Sequence, residues 1–129
     1  MKKAKLMIAL TFGVGMLMLS LPAFAHHSSA AFDTQHLSTV KGTVTNFEWS
    51  NPHAFIYLNV TDEKGVVARW LVEGNSPNML SRVGWKRDIL KPGDTISVTG
   101  APARNGSKVM RLSSLMLADG QQLDGQGFK

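Results

Sequence analysis

The chain has 129 residues, no cysteine and a formal net charge of +5. That length supports one domain. The missing cysteine excludes a disulfide framework, a thiolate metal site and a lipid-bearing cysteine, so the fold must rest on its own apolar core.

The first segment reads as export machinery. Lys2, Lys3 and Lys5 form a basic start, an apolar run follows from Leu6 to Leu21, and Pro22-Ala23-Phe24-Ala25 carries the small-x-small pattern of a signal peptidase site. The run is about 16 residues long, short of the ~20 a membrane-spanning helix needs. A signal peptide over 1–25, cleaved after Ala25, is therefore expected, with no stable membrane anchor afterwards. The expected compartment is the periplasm of a Gram-negative bacterium, or the exterior. The leader holds three lysines and no acid, so the remainder carries eleven basic against nine acidic residues, net +2. Such a balance gives little electrostatic grip on nucleic acid or anionic lipid.

Residues 26–37 are small and polar without a period of 2 or 3.6, which predicts an extended arm, with Phe32 as its anchor. A barrel is expected over 38–120. In the first strand, 38–49, Val40, Gly42 and Val44 alternate with polar residues, after which the apolar parity moves to Phe47 and Trp49. A β-bulge near Thr45-Asn46 accounts for that slip, and Gly42 suits a tight bend. The second strand, 54–61, puts Ile56 and Leu58 on one face and Phe55 and Tyr57 on the other. The third, 66–73, matches it with Trp70 and Val72 if Glu63–Gly65 forms a three-residue loop with Gly65 left-handed. Ser76-Pro77 predicts an N-cap and first helical residue, Met79, Leu80 and Val83 share a face, and Gly84 ends this helix of two turns at most. Thr95–Gly100 and Val109–Leu117 complete five strands, with a second parity change at Ser113-Ser114. Residues 121–129 read as a polar, fraying tail.

Five strands with one short helix between the third and fourth predict an all-β, OB-fold-like Greek-key barrel. His26-His27-Ser28, Val40-Lys41-Gly42, Trp49-Ser50-Asn51-Pro52-His53, Ser76-Pro77-Asn78, Gly84-Trp85, Leu90-Lys91-Pro92-Gly93-Asp94 and Ala103-Arg104-Asn105-Gly106-Ser107 together resemble the small exported bacterial proteins grouped as domain of unknown function 6152 (DUF6152). The resemblance spans essentially the whole chain after the leader and implies a periplasmic or secreted β-barrel. It carries over no catalytic residue.

Of the histidines His26, His27, His36 and His53, the first would become the N-terminal residue on cleavage. An N-terminal histidine offers its α-amino and imidazole nitrogens to one metal, and His27 or His53 would complete an all-nitrogen set suited to Cu(II). In that terminal residue and its neighbours the arrangement resembles the histidine brace of copper-binding periplasmic proteins and copper oxygenases. His53 follows an Asn-Pro turn at the barrel mouth, where the turn would aim it at Glu48. The bland counterpart is a histidine that bonds a loop carbonyl and caps the strand.

Phe55, Tyr57 and Arg69 form a candidate face for a partner protein or small envelope ligand. Aromatics beside a cation also suit single-stranded nucleic acid, against which export and the net +2 weigh. The plainer alternative packs Phe55 and Tyr57 under the arm or Trp85, and Trp70 in the core. No nucleophile elbow, phosphate loop or paired carboxylate is present, so a non-enzymatic binding protein is expected, with copper as its one candidate cofactor.

Overall fold

The structure is a computed structural model and describes residues 29–125. A 3-10 turn at Ser29–Ala31 precedes β1 (Ser38–Glu48), β2 (Phe55–Thr61), β3 (Val67–Glu73), α1 (Pro77–Ser81), β4 (Thr95–Pro102), β5 (Val109–Met116) and β6 (Gln122–Asp124). Strands β1 to β5 close a barrel, with α1 between β3 and β4, as the sequence predicts.

One strand makes closure possible. The first half of β1 pairs with β4, from Ser38↔Gly100 to Thr43↔Thr95, and its second half pairs with β2, from Thr43↔Asn59 to Glu48↔Phe55. Serving two neighbours requires β1 to bend. Gly42 permits it, since a Cβ there would stand 2.6 Å from the Asn59 carbonyl oxygen. Val44 faces Leu58 while Asn46 faces Tyr57, so Thr45 is the extra residue of the expected bulge. A second bulge leaves Ser113 extra between Leu112↔Gly100 and Ser114↔Thr99. The barrel shuts where β3 runs parallel to β5, through Leu71↔Val109, Val72↔Met110 and Glu73↔Arg111.

The β2–β3 hairpin has the expected register, with Leu58↔Trp70 and Ile56↔Val72. Asp62 N–H donates to Val66 O at 2.9 Å, enclosing Glu63–Gly65, and Gly65 has φ +79°. Ile56, Leu58, Val72, Val98, Met110 and Leu112 fill the interior, and α1 closes one end with Leu80. Each such side chain contributes roughly 1.5–3 kcal/mol of burial. The Ser76 hydroxyl accepts from Met79 N–H at 3.3 Å, capping α1 as expected. Phe47 and Trp49 lie half-buried against the core, 5.8 Å apart edge-to-face, and Trp70 packs against it as well.

The arm is pinned by its aromatic. Phe32 is buried and bridges Ala103, while Asp33 N–H donates to Pro102 O and Arg104 N–H to Ala31 O, both at 2.9 Å. His26, His27 and the cleavage site at Ala25 lie outside the described residues. At the other terminus, part of the segment expected to fray forms β6, which pairs with β5 from Ser114↔Asp124 to Met116↔Gln122. The polar composition of 121–129 obscures the one residue that matters. Leu123 is buried, and it holds a short strand against the β5 edge.

Candidate functional site

The β1–β2 loop is stitched to the β3–α1 loop. Ala54 N–H donates to Asn75 O at 3.0 Å, and Gly74 N–H returns a bond to Ala54 O at 2.8 Å. Within the turn, the Ser50 hydroxyl donates to His53 O at 3.1 Å, next to a cis Asn51-Pro52 peptide. These bonds fix the backbone from which the His53 side chain projects.

His53 Nδ1 lies 3.0 Å from Gly74 O. A carbonyl only accepts, so Nδ1 carries the hydrogen and donates. The other nitrogen, Nε2, faces Glu73 Oε1 at 3.6 Å, too long for a hydrogen bond. The His53 side chain is 27% exposed and that of Glu73 only 6%. Glu73 is the buried charged residue of the described chain.

The expected approach of His53 to Glu48 does not occur. Glu48 lies in register with Phe55, and Phe55 in turn with Glu73, so Glu48 and Glu73 flank the same aromatic on opposite sides. His53 turns toward the β3 side because Gly74 O holds its Nδ1. Glu48 instead accepts from Asn46 Nδ2 at 3.4 Å and places its charge beside the Tyr57 phenol. Burial, and secondly the Glu48 carboxylate beside it, push the Tyr57 phenol above its ordinary value.

On the same sheet face lies a groove of about 480 Å³, lined by Thr45, Asn46, Glu48, Tyr57, Asn59, Arg69 and the edge of Leu58 and Trp70. Asn59 and Arg69 are register partners, as expected from the hairpin. The Lys108 amine stands 5.4 Å over the Trp70 ring. Phe55 stands between groove and histidine, its ring 6.5 Å from that of His53. Trp85, offered as a cover for Phe55 and Tyr57, is instead buried with its ring 6.2 Å from Phe47. The arm's backbone partners are residues 102–104.

The model of a family of unknown function, DUF6152, matches residues 14–111, which includes the Asn-Pro-His turn, Glu73 and every residue of the groove. The chain belongs to DUF6152. No curated protein matches it.

In this DUF6152 protein the structure brings together His53, Phe55, Tyr57 and Arg69 on one face, and it adds Glu73, Glu48, Asn46 and Asn59 to them. His36 stands apart, 84% exposed and bonded through Nδ1 to Asp33 Oδ2 at 3.0 Å. Among the described residues no three His, Asp or Glu side chains converge as a metal site. Glu73 had a signal in the sequence. Continuing the ladder from Leu58↔Trp70 through Ile56↔Val72 sets Phe55, two residues after His53, opposite Glu73.

Proposed function

We propose that this DUF6152 protein is an exported, periplasmic, non-enzymatic binding protein that holds copper through His26, His27 and His53. The observation that carries the reading is the state of His53. Metal-binding histidines almost always donate their second ring N–H to a carbonyl or carboxylate, which fixes the tautomer and aims the other nitrogen at the metal. His53 donates Nδ1–H to Gly74 O and turns Nε2 toward a buried carboxylate. His26, once N-terminal, would add an amino and an imidazole nitrogen, and His27 a further imidazole. Together these form the nitrogen-rich set that Cu(II) prefers.

The test uses protein processed to begin at His26. Cu(II) titration followed by visible absorption and spin resonance should show tight, stoichiometric binding that is weakened by His53→Ala and by one extra residue ahead of His26. Weak binding indifferent to both changes would overturn the reading.

The groove supports a second reading, an interaction module in which Phe55, Tyr57 and Arg69 take an envelope protein or small ligand without metal. A volume near 480 Å³ lies within the ~300–1,000 Å³ of small-molecule sites. Capture from periplasmic extract that persists in chelator and is lost with Tyr57→Ala would favour it over copper. Capture abolished by chelator would count against it.

A further inference from the structure

We infer that the groove across β1, β2 and β3 takes a short zwitterionic peptide, its C-terminal carboxylate on Arg69 and its N-terminal ammonium on Glu48. This rests on the metal-free interaction reading above and names the ligand class for the same groove. Arg69 and Glu48 both line it, and both are exposed. Among the described residues neither makes an ion pair, so the groove's cation and anion are left for a ligand to match. A guanidinium fork fits a carboxylate through two parallel hydrogen bonds, and a carboxylate accepts from an ammonium. A dianion would be repelled at Glu48 and a dication at Arg69. The complementary ligand carries one charge of each sign.

The spacing of the two charges sets the ligand's length. Glu48 on β1 stands opposite Phe55, and Arg69 on β3 opposite Asn59, four residues further along β2. Four steps of ~3.3 Å and two strand spacings of ~4.8 Å put their Cα atoms roughly 16 Å apart on the diagonal. Side chains stand roughly perpendicular to a sheet, so the charges keep about that separation. Three extended residues span ~10 Å, and a hydrogen bond of ~2.9 Å at each end brings the total to the same value. Between the charges, Tyr57 is flanked by the amides of Asn46, its partner on β1, and of Asn59, two residues along its own strand. These amides suit the donors and acceptors of peptide groups. The Tyr57 phenol, raised by burial and by the Glu48 charge, stays protonated and can donate to a peptide carbonyl. Asn46 Nδ2 bonds only Oε1 of Glu48, which leaves Oε2 for the ammonium.

The test uses the chain beginning at His26, in chelator, with trialanine as the probe. Calorimetric titration should show saturable binding, and the amide signals of Asn46, Tyr57 and Asn59 should shift with it. Acetylating the peptide's amine or amidating its carboxylate should each weaken binding at least ~10-fold, the loss of one charge-assisted hydrogen bond. Arg69→Gln should abolish the preference for a free carboxylate and keep that for a free amine. Glu48→Gln should do the reverse, a split that mere loss of folding does not produce. No saturable binding at millimolar trialanine, or equal binding of the free and blocked peptides, would overturn the inference. So would shifts of the same amides that follow protein concentration instead of peptide, which would assign the face to a second copy of the chain. Capture from periplasmic extract that is lost with Tyr57→Ala yet not displaced by trialanine would overturn the peptide and leave the interaction reading standing. Capture indifferent to Tyr57→Ala, with no trialanine binding, would overturn both.

Discussion

Trp85 Nε1 donates to the backbone carbonyl of Asp124 at 2.7 Å, joining the β3–β4 connection to the last strand. Trp85 is buried and Leu123 beside that carbonyl is buried as well, so β6 belongs to the barrel wall. Removing residues 121–129 should therefore cost stability. The loss comprises the burial of Leu123, about 1.5–3 kcal/mol, and an indole N–H left without its acceptor, about 1–3 kcal/mol. Urea denaturation of the shortened chain should show a fall of roughly 2.5–6 kcal/mol, the sum of these. An unchanged midpoint would show β6 to be dispensable.

Gly42 sets the bend of β1. A methyl there would meet backbone, the Asn59 carbonyl oxygen at 2.6 Å and Val60 Cγ2 at 3.0 Å, and backbone on a paired strand cannot step aside cheaply. Gly42→Ala should destabilise by roughly 2–3 kcal/mol, in the range of overpacking a tight core, by parting β1 from β2. Protection of the Thr43 and Asn59 amides from hydrogen exchange should fall with it. Thr43→Ala, one residue away on the exposed side of β1, should leave the same amides protected.

The barrel was legible because parity carries its information. The slip from Val44 to Phe47 requires one extra residue, and Thr45 is that residue. The step from Leu112 to Leu115 requires another, and Ser113 supplies it. The hairpin register followed from keeping Leu58 with Trp70. The site was legible only in part, because proximity across strands depends on both rotamer and ladder. His53 stood out by its turn, but whether it leans to Glu48 or Glu73 depends on Gly74 O, a backbone atom with no mark in the sequence. The groove lies along the β1 bulge, past which Asn46 faces Tyr57, and Asn46, Glu48, Tyr57 and Arg69 share its lining.

Asp33 ties the arm's exit to acid sensitivity. The hydrogen bond from His36 is the largest influence lowering its carboxyl below the ordinary 3.8; burial opposes this, and Gln35 N–H and the His36 and Arg104 charges reinforce it. A lowered folded value means the carboxylate's contribution is present above 3.8 and lost as pH falls through the folded value. Asp33→Asn should therefore be less stable than the parent at neutral pH and indistinguishable from it in strong acid. The effect will be small, since His36 is almost fully exposed and solvent screens the contact. A difference between the two proteins that does not shrink on acidification would refute the assignment.

Tyr57 can be followed alone, because the chain has one tyrosine. Burial raises its phenol above the ordinary 10.0, and the Glu48 carboxylate adds to the rise through charge and hydrogen bond. Spectrophotometric titration of the phenolate should place its midpoint above 10.0 in the folded protein and nearer that value in denaturant. Glu48→Gln should bring the folded midpoint part of the way back, leaving the larger contribution of burial. The sign for stability follows. Below 10.0 both folded and unfolded phenols are protonated and the contribution is complete. As pH rises past that value the unfolded chain ionises first, and stability falls until the folded phenol ionises too. Tyr57→Phe should remove this alkaline limb. A Tyr57→Phe protein that loses stability over the same pH range as its parent would show that another group is responsible, and that the groove wall at Tyr57 is wetter than the structure makes it.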